Sequence, residues 1–285
     1  IHERLVGSEM CIRDSYYTNR ELSWLQFDNR ILGEARDKSI PLFERLKFLS
    51  ITASNLDEFF MIRVAGLRHQ KENGVKKRDI ANMTPEEQLE GISDVCQKLV
   101  ARQYRYLKVL LQELESEGLY FIHPDEASPE QKRWLEEYFE REIFPVVTPM
   151  AVDSSHPFPF LASKSLNLAM LLERNERDMT QDEENDIDIK TAIVPVPSVL
   201  PRIIRLPDNK DIPGRHDFIF LEQVIRYYAT RFFIGYDLLE ARPFRLTRDA
   251  DLYIDEEDAQ DLVVEVERQL KKRQRGEAVR ICLLY

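Results

Sequence analysis

The chain contains 285 residues, of which 43% are hydrophobic and 32% are charged. This composition excludes a disordered chain, and the length favours two domains of ordinary size. The formal net charge of −11 argues against binding to nucleic acid or anionic lipid, because both depend on clustered Lys and Arg side chains.

Membrane insertion and disulfide bonding are both disfavoured by the sequence. It contains no apolar run as long as the roughly 18 residues that a membrane-spanning helix requires, so we predict no transmembrane segment. The cysteines are odd in number and far apart, which indicates a reducing compartment and a cytoplasmic protein. They are Cys11, Cys96 and Cys282. Cys96 fits a helix face and is predicted to be buried.

The first fifteen residues, "IHERLVGSEMCIRDS", fit nothing that follows them. They show no sustained periodicity and lack the apolar core of a signal peptide. We interpret 1–15 as a non-native leader and exclude it from the fold argument. The chain also lacks an initiator Met at position 1 and stops after the apolar run "VRICLLY", so we expect a fragment of a longer protein.

Helical periodicity begins near Thr18. Either Thr18 or Asn19 can cap a first helix, since both side chains accept hydrogen bonds from first-turn backbone N–H groups. A second helix is predicted to start at Pro41, because proline suits the first helical position. It is predicted to end at Asn73-Gly74, where the glycine can adopt the left-handed conformation.

A third helix is predicted to open at "TPEEQ", residues 84–88, where a capping Thr precedes Pro and two acids. Its pattern can run to Glu117, with Gly118 as the stop. Three long helices with short joints make residues 16–120 an all-α N-terminal helical domain.

The pattern changes after residue 120, and helices mix with strands. Ser128-Pro129 opens a helix that should end before Pro145. Strand-like segments follow at 165–173, 191–197 and 201–207, then a strand passing into a helix at 216–233, a strand pair or bent strand at 244–254, an amphipathic helix at 256–276 and a strand at 278–285. We therefore predict that residues 121–285 form an α+β domain that lacks its far end.

The sequence lacks the common motifs for catalysis or metal binding. Its five histidines have no HxH, HExxH or Cys-pair spacing, so no metal ligand is predicted. There is no Walker-type phosphate loop and no GxSxG elbow, and only nine glycines are present. No convincing nucleophile with its base occurs, and we assign no catalytic residue.

The stretch "ITASNLDEFFMIR", residues 51–63, places polar groups within a core-forming pattern. Asn55 can donate and accept hydrogen bonds at once, which suits the edge of a base or a ribose hydroxyl. In the structural alternative, Asn55 caps the second half of a broken helix, and Asp57 and Glu58 favour that N-terminus electrostatically. The chemistry of the residues leaves both interpretations open.

Three other features are predicted to be structural. The aromatic series of the helical region is predicted to be core, and it comprises Trp24, Phe27, Phe43, Phe48, Phe59 and Phe60. The acid-rich segment 178–188 is predicted to be a solvated surface, and so is the basic stretch 63–78. Nucleic-acid binding by residues 63–78 is the alternative for the basic stretch.

Residues 19–67, "NRELSWLQFDNRILGEARDKSIPLFERLKFLSITASNLDEFFMIRVAGL", resemble the N-terminal helical domain of the bacterial type 1 polyphosphate kinase family. The family phrases PLxERxKFLxIxxxNLDEFFxxRVAGL and LTRDADL are matched at 41–67 and 246–252. The phrase ELSWLxFNxRVLxEA is matched at 21–35, except that Asp28 and Ile31 stand where it has Asn and Val. The resemblance covers about residues 17–285.

The resemblance implies a four-domain enzyme, with a helical domain, a head domain and two phospholipase D-like C-terminal domains that are missing here. It implies reversible transfer of the terminal phosphate of ATP to inorganic polyphosphate through a phosphohistidine. Mg²⁺ is expected in the whole enzyme. The phosphohistidine, the metal ligands and most phosphate-binding residues would lie beyond Tyr285.

One site residue carries over from the resemblance. The Asn of the family phrase NLDEF contacts the nucleotide, and here it is Asn55, with Asp57 and Glu58 as helix-terminus acids and orienting partners. The basic stretch 63–78 would be a candidate wall of the phosphate tunnel.

The expected partners are ATP, ADP and inorganic polyphosphate, without nucleic acid. A homo-oligomer through the N-terminal and head domains is also expected, and so is a cytoplasmic location, with peripheral membrane association of the whole enzyme as the alternative. The alternative function is a stand-alone nucleotide-binding or dimerisation module without catalysis.

Overall fold

The computed structural model describes residues 17–153, 158–175, 189–209, 212–250 and 276–283. Three predicted segments fall outside these ranges: the leader 1–15, the acid-rich segment 178–188 and nearly all of the helix at 256–276. The chain divides into two compact units. The helical unit consists of the described parts of 1–113 and 247–279, and the head unit of the described parts of 114–246 and 280–285.

The first part of the described chain is helical, as predicted. Its elements are α1 Arg20–Glu34, α2 Leu42–Glu58, a π-helical turn Phe59–Val64, α3 Ala65–Glu72 and α4 Pro85–Ser116. The second predicted helix is therefore continuous but not regular. The π-helical turn between α2 and α3 was not predicted, because a π turn depends on packing and has no simple sequence signal.

Short-range capping explains where these helices begin and end. The Asn19 side chain accepts a hydrogen bond from the Leu22 backbone N–H at 2.9 Å, which confirms Asn19 as the first cap. Thr84 and Glu87 form the reciprocal capping box at the start of α4. Gly74 and Gly118 follow α3 and α4 with φ of +70° and +80°.

Apolar side chains from α1, α2, the π-helical turn and α4 form one core. Buried members include Leu25, Leu32, Leu56, Phe59, Leu99 and Leu110. Each such side chain contributes about 1.5–3 kcal/mol when it is fully buried. Cys96 is buried in the same core, as predicted.

The second part of the chain is α+β, as predicted. The described strands are β1 Leu119–Phe121, β2 Met150–Val152, β3 Leu166–Arg174, β4 Ile189–Pro195, β5 Ile203–Arg205, β6 His216–Phe220, β7 Tyr236–Arg248 and β8 Ala278–Leu283. The helices are α5 Pro129–Tyr138, which continues as a π-helical turn Phe139–Ile143, and α6 Leu221–Tyr227. Two 3₁₀ turns lie at Pro124–Glu126 and Ala229–Arg231.

The described strands form two sheets. One has the order β1-β6-β5, with β1 parallel and β5 antiparallel to β6. The other has the order β2-β4-β3-β7-β8, and β3 pairs antiparallel with both β4 and β7. β7 begins at Tyr236 rather than at the predicted Phe244. The strand is longer because its backbone groups from Tyr236 onward are hydrogen-bonded to β3.

Candidate functional site

Helices α1 and α2 face each other through two side-chain contacts in register. Trp24 on α1 stacks on Phe59, with ring centroids 4.7 Å apart and an interplanar angle of 6°. One turn further along α1, Asp28 accepts a 2.9 Å hydrogen bond from Asn55. Residues four apart on a helix share a face, so the two contacts fix how α1 and α2 align.

Asn55 lies inside α2 and is half-buried. The helix continues without a break on both sides of it, so the interpretation of Asn55 as an N-cap is wrong. Its amide nitrogen Nδ2 donates to Asp28 Oδ1. Within the described residues, its oxygen Oδ1 is neither fully enclosed nor hydrogen-bonded. The amide therefore retains a free acceptor and one further N–H for a ligand.

Asp28 is the neighbour that holds this amide. The residue is 0% exposed, and burial raises the pKa of its carboxyl to about 6, while the hydrogen bond from Asn55 acts in the opposite direction. Its second oxygen, Oδ2, is buried without a hydrogen-bond partner in the described structure. A buried carboxylate with an unpaired oxygen destabilises the folded state, which indicates that Asp28 has a role beyond packing.

The two acids after Asn55 have different surroundings from those expected. They lie at the C-terminal end of α2, so the prediction that they stabilise a helix N-terminus is wrong. Asp57 is 4% exposed and Glu58 is exposed. The acceptor that orients the Asn55 amide is Asp28, on the preceding helix.

The π-helical turn that follows α2 receives a hydrogen bond from a residue just after β7. The Ala250 backbone N–H donates to the Met61 carbonyl at 3.0 Å. Nearby, His69 Nε2 lies 2.9 Å from Asp249 Oδ2. A π turn leaves carbonyls out of the regular α-helical pattern, and this donor satisfies one of them. The described part of the 246–252 motif thus supports the turn that carries Phe59.

The basic stretch 63–78 does not present a uniform set of free cations. Arg68 donates to the Ala278 carbonyl, Lys71 pairs with Glu86, and Arg78 pairs with Glu87. Lys71 and Arg78 are thus paired with carboxylates of this chain, and Arg68 is hydrogen-bonded to a backbone carbonyl. The role of the basic stretch as a wall of a phosphate tunnel stays a prediction.

A cavity of about 230 Å³ lies elsewhere on the helical unit. Its lining is Ala35, Arg36, Lys38, Arg45, Arg105, Tyr106, Val109 and Glu113. Arg45 and Glu113 form an ion pair in its wall with a shortest N–O distance of 2.5 Å. On the head unit, a depression of about 550 Å³ is lined by Arg133, Glu136, Glu137, Glu140 and Arg141. Asn55 lines neither concavity.

The described residues offer no obvious metal centre or membrane span. No group of three or more His, Cys, Asp or Glu side chains in these ranges could hold a metal ion, so no step is assigned to Mg²⁺ here. Among the helices described, none is both long enough and apolar enough to cross a membrane.

The sequence predicted a site role for Asn55 but gave no prediction for Asp28. Asp28 stands at an apolar-facing position of α1, where a charged residue is unusual. That placement is a signal in principle, but the sequence alone does not say which residue of another helix the carboxylate meets.

Comparison with known proteins gives matches in both units. The sequence profile of the polyphosphate kinase N-terminal domain matches residues 17–122, and that of the polyphosphate kinase middle domain matches 130–283. The polyphosphate kinase of Halalkalibacterium halodurans is 47% identical over 282 residues, covering 98% of this chain and 38% of that protein. The polyphosphate kinase of Bacillus cereus is 46% identical over 282 residues, covering 98% of this chain and 39% of that protein.

A solved structure gives the same result. The crystal structure of polyphosphate kinase from Porphyromonas gingivalis superposes with a TM-score of 0.70 at 27% sequence identity. The match covers 91% of this chain and 39% of that one. The present chain therefore spans less than two fifths of the length of these relatives.

Proposed function

The chain belongs to the polyphosphate kinase family, and we propose that it is the nucleotide-contacting N-terminal portion of an ATP:polyphosphate phosphotransferase. The whole enzyme reversibly transfers the terminal phosphate of ATP to inorganic polyphosphate. We propose domain bounds of 16–120 for the helical domain and 121–285 for the head domain.

The amide of Asn55 carries the proposal. It stands on a helix of the matched N-terminal domain, its Nδ2 is held by Asp28, and its Oδ1 is free to accept a hydrogen bond. A fixed amide with a free acceptor suits the neutral, heterocyclic end of a nucleotide.

The charge of the chain supports a division of labour. Phosphoryl transfer needs cations and in-line positioning around the phosphates. This chain has a formal net charge of −11, and its described residues offer no metal ligand set. It therefore binds the adenosine end, and residues beyond this chain bind the phosphates and carry the chemistry.

We also propose that the enzyme is a homo-oligomer in which the head domain takes part. The head unit exposes large apolar side chains, including Val199 and Ile234, which are 78% and 90% exposed. Exposed apolar surface favours association with a partner. Light scattering on the full-length enzyme measures the assembly, and a monomer at working concentration would contradict the proposal.

Steady-state kinetics on the full-length enzyme test the nucleotide contact. The change Asn55→Ala should raise the KM for ATP about three- to tenfold, as expected for the loss of one or two hydrogen bonds. Ser54→Ala is the matched control, because Ser54 is the exposed neighbour on the same helix. An unchanged KM in Asn55→Ala, with normal stability, would remove Asn55 from the nucleotide site.

Calorimetry on the 285-residue chain separates this function from the alternative of a stand-alone nucleotide-binding module. If the phosphates are bound by residues beyond this chain, ATP should bind it weakly. Tight binding of ATP by this chain alone would favour the alternative.

A further inference from the structure

We propose that Asp28 is a positioning residue that locks the Asn55 amide in one orientation and thereby selects purines with a 6-amino group over purines with a 6-oxo group. The inference rests on the proposed nucleotide contact of Asn55 and adds the base preference that follows from its hydrogen bond.

The lock follows from what an ionised carboxylate can do. A carboxylate only accepts hydrogen bonds, so the atom of Asn55 that lies 2.9 Å from Asp28 Oδ1 must be the donor Nδ2. Turning the amide over would place two oxygens at that distance with no hydrogen between them. Because Asp28 is 0% exposed, water cannot take over the role of donor.

The locked amide presents a defined pattern to a ligand. Asn55 Oδ1 accepts, and the second hydrogen of Nδ2 donates. The edge of adenine offers an amino donor at N6 and an acceptor at N7, which is the complementary pattern for a bidentate contact. A 6-oxo purine offers two acceptors at the same places, so its O6 would face Asn55 Oδ1 and the two oxygens would repel.

The energetic cost at Asp28 supports a functional reason for the charge. Oδ2 of Asp28 is buried without a partner in the described structure, and a buried carboxylate is unfavourable unless its hydrogen bonds are made. An asparagine at this position could accept the same hydrogen bond without a charge. It could equally well donate to Asn55, however, and so would not lock the amide. Only the acid imposes one orientation.

The test is the ratio of KM values for inosine triphosphate and ATP, measured with the full-length enzyme. Inosine triphosphate carries a 6-oxo group in place of the 6-amino group. We expect the unmodified enzyme to show a ratio of about ten, equivalent to about one discriminating hydrogen bond. The change Asp28→Asn should lower this ratio to about three or less.

Two comparisons control the measurement. Asp94→Asn makes the same charge change at an exposed position of α4 and should keep the original ratio. Asp28→Ser provides a second variant at the position, since a hydroxyl can also both donate and accept. A general loss of packing would lower kcat or stability without changing the preference between the two bases.

The outcomes distinguish the inference from the proposed function. If Asn55→Ala raises the KM for ATP but Asp28→Asn and Asp28→Ser keep the full ratio, Asp28 does not position the amide and the inference is wrong. A ratio near one in the unmodified enzyme overturns it as well. If Asn55→Ala changes neither the KM for ATP nor the ratio, the nucleotide contact itself is wrong and the inference falls with it.

Discussion

Trp24 on α1 and Phe59 at the start of the π-helical turn after α2 stack in parallel, with ring centroids 4.7 Å apart. The two rings lie one helical turn from Asp28 and Asn55, which are joined by the 2.9 Å hydrogen bond. The stacked pair is therefore the apolar support for the polar contact. Loosening the rings should disturb the alignment of the amide as well as the core.

The change Trp24→Ala should lower the free energy of unfolding by about 2–4 kcal/mol, because it removes a large half-buried ring and its stacking contact with Phe59. Chemical denaturation followed by far-UV circular dichroism measures the loss. Phe27 on the same helix was predicted to be core, but it is 47% exposed. Phe27→Ala is therefore the control and should cost less than about 1 kcal/mol. Equal losses in the two variants would contradict the assigned role of the stack.

The change Asp28→Asn should stabilise the protein at neutral pH. The pKa of Asp28 is raised from 3.8 to about 6, so the folded state holds this proton more tightly than the unfolded state does. The stability from this group is present below about pH 4 and is lost as the pH rises through about 6. Removing the charge should restore about 1–3 kcal/mol at pH 8.

Denaturation of both proteins between pH 4 and pH 8 measures this effect. The difference between Asp28→Asn and the unmodified chain should grow with pH and level off above about pH 7. Other titrating groups are common to both proteins and cancel in the difference. A difference that does not vary with pH would contradict the raised pKa.

The change Glu113→Gln should destabilise the helical unit by about 1–2 kcal/mol at pH 7, since it leaves the buried guanidinium of Arg45 without its counter-charge. Arg45 is 5% exposed, and its Nε also donates to the Ala35 carbonyl at 3.0 Å. The hydrogen bond from Arg45 lowers the pKa of Glu113 below its ordinary value.

The stability from Glu113 is thus present above about pH 4.5 and is lost as the pH falls through the lowered pKa. The penalty of Glu113→Gln should shrink in acid, and thermal unfolding at pH 7 and at pH 3 measures the change. Glu115→Gln, at an exposed position of α4, should have little effect at either pH. A penalty as large at pH 3 as at pH 7 would show that the ion pair is not its source.

The change Gly118→Ala should destabilise the protein by more than about 2 kcal/mol. Gly118 has φ of +80°, and an added Cβ would lie 2.4 Å from the Gly214 backbone oxygen. Gly33→Ala is the matched control, because Gly33 lies in α1 with open space around it and should gain about 0.5–1 kcal/mol. Thermal unfolding of the two variants should therefore shift in opposite directions.

The sequence by itself determined the helix boundaries of the N-terminal part. Asn19, Thr84 and Gly118 act on backbone groups within a few residues, and such local interactions can be recognised without a fold. The family phrases around Asn55 were also sufficient to identify the family. Both kinds of signal are contained in short, continuous stretches of chain.

Only the tertiary structure decided what Asn55 does within the protein. Its partner Asp28 lies 27 positions earlier, and the donor to the π-helical turn is Ala250, which follows β7. Neither contact is encoded locally, because each depends on how separate elements pack. The sequence allowed Asn55 to be either a helix cap or a ligand-binding amide. In the structure, α2 continues through Asn55, and the buried carboxylate of Asp28 lies across from it. The cap is therefore excluded, because a helix interior has no free N-terminal N–H groups to cap.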